Sequence, residues 1–130
     1  CIRDSTLAGL VIGEGGRRIV HGALAVPPDH GVPEQVRALL AEAGREDGGY
    51  QLLDACRGGF ARQDAELLAF MAQCEGQSGL PLEPLYTAKA LLALRDAIGR
   101  GDVEAGRRLI FLHTGGLQGR RASLGTDSVR

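Results

Sequence analysis

Apolar positions recur with a helical period in four stretches of the chain and gather into continuous runs in three others. Residues 5–12 read as a short helix, stopped by Gly13-Glu14-Gly15-Gly16. Pro33 suits the first turn of a second helix, in which Val36, Leu39, Leu40 and Ala43 form one stripe and Gly44 offers a left-handed cap. Asp64 can cap a third helix that carries Leu67, Leu68, Met71 and Cys74. A fourth runs from Thr87 or Ala88 to Ile98, with Leu91, Leu94 and Ile98 on one face and Gly99 and Gly101 at its end.

The continuous runs read as strands. Residues 19–26 are nearly all apolar up to Pro27-Pro28, residues 50–55 form a plausible second strand, and Leu109-Ile110-Phe111-Leu112 reads as a clear buried one. Continuous apolar runs suit strands covered on both faces, and strands alternating with helices predict an α/β fold with a parallel sheet. Two strong strands are few for such a sheet, so the pattern reads as part of a larger one. Residues 1–121 are expected to form this partial α/β unit, and the polar, aperiodic residues 122–130 a frayed tail.

Composition narrows the function classes. The 130 residues carry 15 Lys+Arg against 16 Asp+Glu, a net charge of −1 that gives no basis for a dedicated nucleic-acid surface. With 44% hydrophobic and 24% charged residues the chain is not of the disordered class. Cys1, Cys56 and Cys74 are odd in number and lack metal-ligand spacing, so reduced thiols, no metal site and a cytoplasmic location are expected. No apolar stretch reaches membrane-spanning length, and no signal-peptide pattern is present. The basic residues are fourteen Arg and one Lys, Lys89; the chain opens on Cys1 rather than Met, which reads as a processed, excised or partial product.

Candidate chemistry lies at two places. Thr114-Gly115-Gly116 follows the 109–112 run, where ligands of open α/β sheets bind, and combines a hydroxyl with backbone open to close approach. Tyr86 and Thr87 set two hydroxyls at the start of the fourth helix; the plainer reading of each is a helix cap and a packed ring. His21 reads as a satisfied core residue, and His113 as a group that orients the Thr114 turn.

Taken in order, Ser78-Gly79-Leu80-Pro81-Leu82-Glu83-Pro84-Leu85-Tyr86-Thr87-Ala88-Lys89-Ala90 and Leu109-Ile110-Phe111-Leu112-His113-Thr114-Gly115-Gly116 resemble the carboxyl-terminal part of a known enzyme family. That family comprises the pyridoxal-phosphate-dependent 1-aminocyclopropane-1-carboxylate deaminases and D-cysteine desulfhydrases, whose members are more than twice as long as this chain. The resemblance implies a tryptophan-synthase-β-like fold and action on small amino acids. It implies that Tyr86 stands beside the substrate, that Thr87 faces the pyridine nitrogen with Thr114 and Gly115 nearby, and that Ser5 and Thr6 end the phosphate loop. Thr87 matches the desulfhydrase-like members, the deaminases proper having Glu there.

The same resemblance shows departures. The family's Schiff-base lysine falls in an amino-terminal part that has no counterpart in these residues, and Lys89 matches an ordinary helix position. Ile2 and Asp4 stand where glycines of the phosphate loop are expected, and Phe60 stands where many members have a second Tyr. The expectation is a carboxyl-terminal portion that is inactive alone, pairing with an amino-terminal half or a second copy. The other reading is a non-catalytic remnant serving as an oligomerisation or small-anion-binding module. A nucleotide-binding α/β domain is a third reading, for which no Walker-type or dinucleotide loop is present.

Overall fold

The computed structural model describes residues 2–26, 31–57, 63–113, 116 and 121. Helix α1 (Ile2–Glu14) leads through a glycine turn into strand β1 (Val20–Leu24); helix α2 (Val32–Glu42) then crosses to strand β2 (Tyr50–Asp54). Helices α3 (Ala65–Ser78) and α4 (Thr87–Arg100) follow. β1 and β2 pair in parallel, Val20 opposite Tyr50 and Leu24 opposite Asp54, the pairing that a βαβ crossover produces. The architecture is therefore α/β, with a two-stranded parallel sheet.

Alternation along the strands assigns the two faces. Val20 and Tyr50 pack with Ala8 and Val11 of α1 and with Val36 and Leu40 of α2. Leu53 points the other way and joins Ala93 and Ala97 of α4, with Val103 beyond. Gly22 lets α1 approach the sheet closely: a Cβ there would lie 2.8 Å from Leu7 Cδ2. A third cluster, Leu67, Phe70 and Met71 with Leu82, Ala88 and Leu92, fastens α3 and the 79–86 connector to α4. Helix α4 thus serves two cores at once.

Local signals account for the boundaries. Asp64 accepts the Leu67 N–H at 2.8 Å, the side-chain cap expected for α3. Gly79 and Gly101 close α3 and α4 with φ near +70° and +83°, where a side chain would be strained. Gly44, also left-handed, follows α2 as expected.

Four expectations are corrected. Residues 109–112 form no strand: Leu109, Ile110 and Leu112 are 42%, 87% and 53% exposed. An apolar run specifies a strand only where a ladder awaits it, and among the described residues β1 and β2 pair only with each other. On α3 the buried positions are Leu67, Phe70 and Met71, while Leu68 is exposed, because the i, i+3, i+4 spacing turns Leu68 off that face. On α4 the buried residues include Ala88, Lys89, Leu92, Ala93 and Ala97, with Leu91, Leu94 and Ile98 on the flanks. The helix wedged between two cores buries small residues where close approach is needed. His21 is not satisfied: its Nδ1 is buried without a hydrogen-bond partner among the described residues. Pro27, Pro28, Gly58, Gly59, Phe60 and the 122–130 tail lie outside the described residues.

Candidate functional site at the start of helix α4

The Tyr86–Thr87 turn is built by Glu83. Pro84 cannot donate a backbone hydrogen bond, and the first N–H groups of α4 have no carbonyl one turn earlier to receive them. Glu83, 1% exposed, fills that role with its side chain. Its Oε2 accepts the Leu85 N–H at 2.7 Å, and its Oε1 accepts the N–H groups of Tyr86 and Thr87 at 2.5 and 2.6 Å. The contact is reciprocal, because the Glu83 N–H donates to Thr87 Oγ1 at 2.9 Å. The buried carboxylate thus sits on the positive end of the helix, and three amides share its charge.

Two further bonds set the connector. Leu82 N–H donates to Glu75 Oε1 of α3 at 2.9 Å. His113 Nε2 lies 2.7 Å from the Pro81 carbonyl oxygen; since a carbonyl only accepts, the proton resides on Nε2. His113 therefore binds the 81–87 segment to the chain just before Thr114. Gly116 packs against Glu83, with a Cβ there falling 3.2 Å from Glu83 Cγ.

Lys89 fixes where this turn lies. It is wholly buried, and its Nζ donates to the Cys56 carbonyl oxygen at 3.2 Å, two residues past the end of β2. The first turn of α4 therefore stands beside the carboxyl end of the parallel strands, the end at which α/β sheets bind ligands. Burial pushes the Lys89 ammonium below its ordinary pKa, with nearby Cys56 and Asp64 opposing the shift. Next along the chain, Arg57 adopts φ of +52° and pairs with Asp64 at 2.7 Å and Glu66 at 2.6 Å. Arg95 extends this network to Glu66 and lies 5.0 Å over the Phe70 ring.

Tyr86 is half-buried and Thr87 is 3% exposed. Thr87 Oγ1 accepts the Glu83 N–H at 2.9 Å and donates its own proton to the Glu83 carbonyl oxygen over a longer 3.4 Å. Ser5 and Thr6 lie within α1, and Ser5 lines an open depression with Gln35, Ala38 and Leu39 of α2. That depression contains no residue of the 83–87 turn, so the two groups of expected residues do not meet there. Thr114 and Gly115 lie outside the described residues. Glu83, Glu75 and the burial of Lys89 were not anticipated; the signal for Glu83 was an acid just ahead of a Pro at a helix start, four residues before a Thr.

An α/β protein with a hydroxyl-bearing helix start at the carboxyl end of its parallel strands is the class these features define. About half of the chain is homologous to proteins named 1-aminocyclopropane-1-carboxylate deaminase or D-cysteine desulfhydrase. Identity is 32% over 69 residues, 53% of this chain, with a Pyrococcus horikoshii protein named 1-aminocyclopropane-1-carboxylate deaminase. It is 39% over 62 residues, 48% of this chain, with a Pyrococcus abyssi protein of the same name. An Arabidopsis thaliana protein named bifunctional D-cysteine desulfhydrase/1-aminocyclopropane-1-carboxylate deaminase, mitochondrial, is 36% identical over 62 residues, 47% of this chain. The matched segments span 21%, 17% and 16% of these relatives' lengths. No family profile and no solved structure matches the chain.

Proposed function

We propose that this chain forms the carboxyl-terminal, ring-nitrogen side of a pyridoxal-phosphate site in a D-cysteine desulfhydrase / 1-aminocyclopropane-1-carboxylate deaminase-like enzyme. In this reading residues 1–121 are a portion of a tryptophan-synthase-β-like fold, and the substrate is a small amino acid. When bound, pyridoxal phosphate supplies an electron sink for charge developing on a substrate carbon.

The observation that carries the reading is the state of Thr87. Its buried hydroxyl accepts the Glu83 N–H at 2.9 Å and directs its own proton to the Glu83 carbonyl oxygen only over a long 3.4 Å. It is thus a neutral group that would turn this proton to a ring nitrogen at the loss of one weak bond. Such a group fits an unprotonated pyridine nitrogen and does not favour its protonation as a carboxylate would. Glu83, the nearby carboxylate, directs both oxygens to backbone amides. Thr87 therefore favours the desulfhydrase side of the family. Tyr86, half-buried at the same turn, would hold substrate or a proton at its phenol oxygen, with Thr114 and Gly115 beside the ring and Ser5 and Thr6 toward the phosphate.

Lys89 does not supply the reactive amine in this reading. It is wholly buried with its Nζ engaged at Cys56, and the chain has no other lysine. The purified 130-residue chain, given pyridoxal phosphate and D-cysteine, is expected to release no sulfide above the rate of free cofactor. Release well above that rate would overturn the assignment of Lys89. A second reading, a non-catalytic module that self-associates, draws on the exposed apolar residues Leu109, Ile110 and Leu112.

A further inference from the structure

We propose that Glu83 is the positioning residue of the site: its buried carboxylate fixes the Tyr86–Thr87 turn and couples it mechanically to the backbone at Gly116. The importance of the turn rests on the reading above, but the coupling itself does not.

Four consecutive residues depend on Glu83. Its two carboxylate oxygens take the N–H groups of Leu85, Tyr86 and Thr87, and its carbonyl takes that of Ala88 at 3.0 Å. Its own N–H holds Thr87 Oγ1, so it sets both the backbone and the hydroxyl of Thr87. Such a carboxylate cannot be exchanged for an amide without loss. A glutamine has one accepting oxygen and one donating nitrogen, so one of the two oxygen positions would face an N–H with another donor.

Gly116 packs against the Glu83 side chain. Its φ is +83°, and its Cα hydrogen stands where a Cβ would be 3.2 Å from Glu83 Cγ and 3.5 Å from Cδ. Glycine is thus favoured by its backbone conformation, and a Cβ would in addition press on Glu83 by a few tenths of an ångström. Displacement of residue 116 presses directly on the carboxylate that orients Tyr86 and Thr87. His113, bonded to Pro81, restrains the same segment from its other end. His113 and Gly116 therefore both bear on the 81–87 segment, one through Pro81 and the other through Glu83.

The test is amide hydrogen exchange and amide spectra of the full chain, wild type against Glu83→Gln, with Gly116→Ala made in the wild-type and Glu83→Ala backgrounds. In Glu83→Gln, exchange at residues 85–87 is expected to accelerate about tenfold or more, with little change at residues 92–97. Gly116→Ala is expected to shift the 85–87 amides in the wild type and to leave them nearly unmoved in Glu83→Ala, where Cγ is gone. Equal acceleration throughout α4 would reduce Glu83 to a general stabiliser and overturn the proposal. So would an undiminished Gly116→Ala effect in Glu83→Ala. Selective loss at 85–87 in a chain that ignores pyridoxal phosphate would support the positioning role while removing the cofactor reading.

Discussion

Lys89 concentrates the physical argument at the scale of single residues. Its aliphatic stem is buried with α4, while its ammonium has left water. Among the described residues the ammonium donates to the Cys56 carbonyl oxygen, with charge on Cys56 and Asp64 favouring its protonated form. Replacing it by Met keeps the stem and removes the buried charge, so stability at neutral pH is expected to change by less than about 1 kcal/mol in either direction. Lys89→Ala leaves a void and an unpaired carbonyl, at about 2–4 kcal/mol. The pH dependence has a definite sign. Burial lowers the folded-state pKa below 10.5, so folding is penalised while the amine is protonated in both states. The penalty lifts as pH rises from the folded-state value toward 10.5. Urea unfolding at several pH values should therefore show wild type gaining on Lys89→Met as pH rises through the lowered folded-state value toward 10.5. None of this burial is visible in the sequence, where a lone lysine one turn into an amphipathic helix reads as solvated or bonded to a carbonyl. Only the carbonyl bond could be anticipated, since the depth of a position depends on which cores its helix joins.

Among the elements, α3 and α4 show what a local pattern can and cannot specify. The cap of α3 was legible, because Asp64 precedes the helix by one residue and its carboxylate needs only a neighbouring N–H. Arg57 holds the Asp64 carboxyl below the usual range, chiefly through their hydrogen bond, with the Leu67 N–H adding to it. That contribution is present above the ordinary aspartate pKa and is lost as pH falls through the lowered folded-state value. Asp64→Ala is expected to destabilise the chain by about 1–2 kcal/mol near neutral pH, measured by denaturant midpoint, with the difference shrinking in acid. The phase of the buried face was less legible. Periodicity places apolar residues on one side of α4, but the helix turns Leu92, Ala93 and Ala97 inward because it must contact both the sheet and α3. The 109–112 run fails as a strand for a related reason: strand identity is a property of a pair, and a single sequence shows one member.

For the whole molecule, the α/β class and the parallel pairing were readable from strands alternating with helices, and the turn at residues 83–87 from its motif. The device that holds the turn was not, since Glu83 acts through the backbone of its neighbours. The homologous segments cover about a fifth or less of their relatives, so the 130 residues are compared with a small part of each protein. The central proposal is that the Tyr86–Thr87 turn, at the carboxyl end of the parallel strands, would face the ring of pyridoxal phosphate, and that Lys89 would not bond to it. The direct measurement is a titration of the isotope-labelled full chain with pyridoxal phosphate, read in amide spectra and followed by borohydride reduction and peptide mapping. The expected result is saturable shifts centred on Tyr86 and Thr87 that inorganic phosphate does not reproduce, with Lys89 unmodified in the folded chain. Spectra unmoved at residues 86 and 87, or a reduced adduct on Lys89 of the folded chain, would contradict it.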